Sequence, residues 1–138
     1  MSLRRIHWTI MLTVGLVLAG SGQALASEAS AARQSVPGGG VTVAVTYLKE
    51  RADAPTFQVV LDTHSVNLDG YRFEEIVRLR DGRGGEVAPA TVEDAKGSGH
   101  HRQATVHFAW PEPRPQALEL VVKGVAGVPE RVFQWPLQ

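Results

Sequence analysis

The sequence predicts an all-β protein: an antiparallel β-sandwich of about seven strands behind an N-terminal leader. Three observations carry this. Apolar and polar residues alternate with period two through several short runs, as in Val41-Thr-Val-Ala-Val-Thr-Tyr47. Clusters of Gly, Pro, Asp and Asn separate those runs. No window combines a helical period with helix caps.

The first strand runs from Val41 to Leu48, with Val41, Val43, Val45 and Tyr47 on one face. The second is Phe57 to Thr63, where Phe57, Val59 and Leu61 face inward and Gln58, Val60 and Asp62 outward. The third spans Tyr71 to Arg80; Glu75 falls on its apolar face, which predicts a bulge or break near Glu74-Glu75. Asp81-Gly82-Arg83-Gly84-Gly85 is a hairpin turn, and the return strand, Glu86 to Ala88, is cut short by Pro89. Thr91 to Glu93 is a short edge strand. Ala104 to Trp110 puts Ala104, Val106 and Phe108 inward and Thr105 and His107 outward. After the proline corner at Pro111, Pro113 and Pro115, Gln116 to Val122 carries Leu118 and Leu120 into the core. A last strand alternates Phe133, Trp135 and Leu137 with Val132 and Gln134.

Residues 1–26 read as a signal peptide: Arg4-Arg5, an apolar stretch from Trp8 to Ala19, and a small-x-small site at Ala24-Leu25-Ala26. Thr9, Thr13 and Gly15 interrupt the apolar stretch, which is short for a membrane span, so cleavage is expected over a retained anchor. Residues 27–40 read as a flexible linker and 41–138 as the sandwich domain. Removing 26 of 138 residues leaves 112, enough for one core. The leader takes two of the 14 basic residues, leaving 12 against 14 acidic ones, near −2. That balance argues against nucleic acid or an anionic membrane surface as partner. The chain has no cysteine, so disulfides, thiolate metal sites and a cysteine nucleophile are excluded. The expected location is secreted or periplasmic.

The strand plan resembles immunoglobulin-like and fibronectin-III-like domains in strand count. It lacks their paired cysteines, the tryptophan of the third strand and a tyrosine corner, so no residue roles transfer. A small barrel is the competing architecture.

Gly38-Gly39-Gly40 precedes a strand rather than a helix, so it is no phosphate loop. Ser65 and its neighbour His64 point to opposite faces of an extended chain, a poor nucleophile–base pair, and no enzyme activity is expected. Arg72, Arg78 and Arg80 share one outward face and read as a solvated sheet surface. Asp62, Asn67 and Asp69 lack the order of a calcium loop.

The histidines outside the leader are His64, His100, His101 and His107. Antiparallel pairing of Phe57–Thr63 with Ala104–Trp110 sets His64 beneath the His100-His101 loop, with Asp62 on the same face. Imidazole nitrogens with one carboxylate suit copper or zinc. His64, His100, His101 and Asp62 are therefore the candidate ligands, and His107 falls outside the set. The alternative function is a protein-interaction or scaffold module of the cell envelope, with no metal and an envelope or extracellular protein as partner.

Overall fold

The computed structural model describes residues 32–51 and 53–137, where the period-two pattern becomes two antiparallel sheets. The leader and its cleavage site lie outside the described residues. The strands are β1 (Arg33–Gly38), β2 (Val41–Tyr47), β3 (Thr56–Thr63), β4 (Val77–Arg80), β5 (Glu86–Val87), β6 (Thr91–Ser98), β7 (His101–His107), β8 (Ala117–Val125) and β9 (Val128–Pro136). One helical turn, α1 (Phe73–Ile76), precedes β4.

The five-stranded sheet has the order β1-β2-β3-β7-β6 and the four-stranded sheet β5-β4-β8-β9. The core lies between them. Val43, Val59, Leu61, Val106, Phe108, Leu118, Leu120, Phe133 and Trp135, all on the apolar parity of their strands, are buried. Phe57 sits at its aromatic end, 5.3 Å from Trp135 and edge-on to Phe108 at 6.1 Å between ring centroids.

Three elements differ from the sequence expectation. The predicted linker holds a strand: β1 pairs with β2 over six residues, from Arg33↔Thr46 to Gly38↔Val41. Gly39 and Gly40, with φ of 62° and 79°, form the two-residue turn that closes this hairpin. The predicted strand Tyr71–Arg80 begins as α1; winding one turn buries both Phe73 and Ile76 and leaves Glu74 and Glu75 exposed. An extended chain would have driven Glu75 inward. Finally, the short strand at Thr91 is eight residues long, and His101 opens β7 rather than sitting in a loose loop. Only Gly99 and His100 remain between the paired Ser98 and His101.

Candidate functional site

The four predicted ligands gather at one end of the five-stranded sheet, but not around one point. Asp62 of β3 and His101 of β7 are cross-strand partners. Asp62 Oδ1 lies 3.6 Å from His101 Nδ1, with both side chains more than half exposed. His64 does not continue the strand. The Thr63 hydroxyl accepts the N–H groups of Ser65 and Val66, both at 3.2 Å, and donates to the Gly40 carbonyl at 2.6 Å. That local turn ends β3 and carries His64 off its parity. His100 is placed through its backbone, its carbonyl accepting the Thr63 N–H at 3.0 Å. Among the described residues no group of three or more His, Asp or Glu side chains is arranged to hold a metal ion. One pair is brought together; His64 and His100 flank it.

His107 is engaged at the other end of β7. Its Nδ1 lies 3.0 Å from the Thr56 hydroxyl and its Nε2 3.1 Å from Glu93. The order hydroxyl, imidazole, carboxylate is that of an activated nucleophile. A nucleophile must meet substrate, however, and Thr56 is 1 % exposed with its hydroxyl donated to the Ala54 carbonyl. The trio is a tie across three neighbouring strands, fastening edge strand β6 to the sheet.

The outer faces of the two sheets differ in chemistry. On the four-stranded sheet, Arg80 hydrogen-bonds Glu119, reaches Glu130 at 2.9 Å and lies 3.5 Å from Glu86. Lys123 donates to Glu86 at 2.7 Å. Glu130 and Lys123 are cross-strand partners, as are Arg80 and Glu119, with Val121 between the two rows. The Arg80–Glu130 pair thus crosses β8 diagonally at Val121, which is fully buried despite its outward parity, and the Lys123–Glu86 pair crosses the neighbouring β4. The hydrogen bond from Arg80, then that from Gln134, holds the Glu119 carboxyl below its ordinary pKa. A cleft of about 370 Å³ opens beside this net, between Arg80, Glu119 and Pro115. Its two charged groups already satisfy each other.

Among the described residues, the outer face of the five-stranded sheet has no such net, only the separate pairs His101–Asp62 and His107–Glu93 towards its two ends. Its three central strands present Thr42, Ala44 and Thr46, then Gln58, Val60 and Asp62, then His101, Gln103, Thr105 and His107. Asp62 is the one carboxylate in this set, at the end of its strand. Charges otherwise sit on the edge strands, at Arg33, Glu93 and Lys96. The centre is small, neutral and pleated.

Two arginines that sequence reasoning passed over organise one end of the sandwich. Arg131 is 2 % exposed and among the described residues has no carboxylate partner; its guanidinium donates to the carbonyls of Val125 at 3.0 Å and Gly38 at 2.5 Å. Burial pushes its pKa down, although an arginine stays charged. It binds the β1–β2 turn to the β8–β9 turn, where the Tyr71 hydroxyl also accepts the Ala126 N–H at 2.8 Å. The signal was present: Arg131 shares the parity of Phe133 and Trp135. Arg102 hydrogen-bonds the carbonyls of Leu68 and Tyr71 and stacks 5.3 Å over the Phe73 ring, pinning the β3–α1 connection. In comparisons with protein-family models, curated proteins and solved structures, nothing matches this chain.

Proposed function

We propose that this chain is an exported, non-catalytic immunoglobulin-like β-sandwich that serves as a protein-interaction module. It docks an envelope or extracellular protein on the outer face of its five-stranded sheet. The strand order supports the immunoglobulin-like plan: β2-β3-β7-β6 faces β5-β4-β8-β9, the order of that architecture with β1 added at one edge. The observation that carries the docking reading is the contrast between the outer faces. Interface centres are depleted of charge, because a buried unpaired ion is costly to desolvate. The face around Val60 meets that requirement, whereas the other sheet is covered by ion pairs.

A photo-crosslinking residue at Val60, introduced into the chain in its native host, tests this against one at Val132 on the opposite face. A discrete adduct with one protein at Val60, absent at Val132, is the expected result. No adduct at either position, or equal adducts at both, ends the reading.

A second reading has one observation in its favour, the Asp62–His101 pair at 3.6 Å. In it, His64 and His100 swing in to complete a copper or zinc site. Calorimetric titration with Cu(II) and Zn(II) tests it: saturable binding lost in His101→Ala supports the site, and binding unchanged in that variant removes it.

A further inference from the structure

Strand β1 closes two edges at once. On one side it completes the ladder of β2, whose residues Val41 to Tyr47 carry no charge and no proline. Bare, such a strand is a ready template for another chain. On the other side β1 reaches β9, the edge of the opposite sheet. The Gln34 side-chain amide acts as a strand surrogate: its Nε2 donates to the Gln134 carbonyl at 2.5 Å and its Oε1 accepts the Gln134 N–H at 3.2 Å. The Trp135 indole donates to the Ala32 carbonyl at 3.0 Å, and Arg131 holds the Gly38 carbonyl.

The groove between β2 and β9 is therefore selective. It takes an amide side chain at position 34 and a small apolar one at 36, where Val36 packs against the core. At position 38 a Cβ would come within 3.1 Å of Val128 Cγ2 and 3.3 Å of Arg131 Nη2, so glycine alone fits without displacement. The strand that meets all three requirements is β1 itself.

What holds β1 in place is modest. Its residues are exposed or half-buried throughout. Its link to β2 is the pair Gly39-Gly40, both at positive φ, and glycine extends as readily as it turns. Edges that rely on hydrogen bonds with little apolar burial are the segments that open first.

We propose that two copies of this protein exchange β1. The Gly39-Gly40 turn straightens, residues 33–47 become one long strand, and each copy's β1 fills the β2–β9 groove of the other. Every contact named above re-forms between chains, so exchange gives up only the turn itself. The Val60 face takes no part.

Gly39 supplies the discriminating variant. In the closed turn its Cβ would collide with the Ala126 backbone carbonyl, and its φ is left-handed. Gly39→Ala therefore penalises the closed hairpin and leaves an extended hinge untouched. Sedimentation of the full chain as recovered after expression should show a concentration-dependent, slowly equilibrating rise to twice the monomer mass. Gly39→Ala should tighten that association at least about tenfold. Independently, Ser35→Cys with Ala44→Cys introduces one cross-strand pair on cysteine-free background. Oxidised after equilibration at high concentration, it should yield chain-to-chain disulfides between the two positions; oxidised dilute, only disulfides within one chain. A Gly39→Ala protein that loses stability yet stays monomeric, with disulfides within one chain at every concentration, overturns the proposal. A Val60→Arg variant that still dimerises separates it from the docking face.

Discussion

At the scale of single residues, the stability of one end of the sandwich depends on a buried charge held by backbone carbonyls. Arg131 stays buried because it exchanges water for backbone carbonyls of two turns that face each other. Replacing it with methionine keeps the stem's apolar packing but strands those carbonyls. We expect Arg131→Met to cost about 2–4 kcal/mol in urea unfolding, the range for breaking a buried charged hydrogen-bond set. A loss below about 0.5 kcal/mol would mean that water replaces the guanidinium without penalty. Parity along β9 marked this position as inward, yet an inward arginine has no meaning until its acceptors are known. Those acceptors lie 93 and 6 residues away in sequence. The histidines show the converse. The register sets Asp62 opposite His101, several residues from the pairing that the alternation alone suggests, and the Thr63 hydroxyl ends β3 in a local turn just before His64.

At the scale of elements, strands were legible wherever one face is buried and the other wet, because alternation then records the packing. β2, β3, β8 and β9 are of this kind. β1 was not legible. It buries little, Val36 is its one large aliphatic residue, and it runs out through Pro37 into three glycines, a pattern shared with flexible linkers. What makes it a strand is β2 beside it, with the backbone of Gln134 and the side chains of Trp135 and Arg131 around it, none of which a local pattern contains. The same applies to α1. Glu75 on an apolar face announced that an extended Tyr71–Arg80 would fail. That the remedy is a helical turn follows from the space between Phe73 and Ile76, which the fold sets. β6 extends past Glu93 for a third reason. Its later residues are exposed on both faces and leave no alternation; the turn at Gly99, whose N–H is accepted by Asp69 at 2.7 Å, helps keep the long hairpin docked.

At the scale of the molecule, the two sheets divide the work, one face closed by ion pairs and one left neutral, and this division sets the response to pH. On the closed face, hydrogen bonds from Arg80 and Gln134 lower the pKa of Glu119, and a hydrogen bond from Lys123 lowers that of Glu86. A carboxylate whose folded pKa lies below its unfolded value, near ~4.3, binds fewer protons when folded. Its contribution is therefore complete above the unfolded value and disappears as pH falls through the folded one. We expect the urea midpoint to be level from pH ~7 to ~5 and to fall steadily below pH ~4. Glu119→Gln should have a lower midpoint at neutral pH and a shallower acid slope, since one of the groups responsible is gone. Added salt should lower the neutral midpoint only slightly, because exposed pairs are individually weak and already partly screened. Val60→Lys, on the neutral sheet, serves as the control and should leave the acid slope unchanged. A midpoint that stays level down to pH ~2.5, or an acid slope identical in Glu119→Gln, would show that the charged face does not stabilise the folded state.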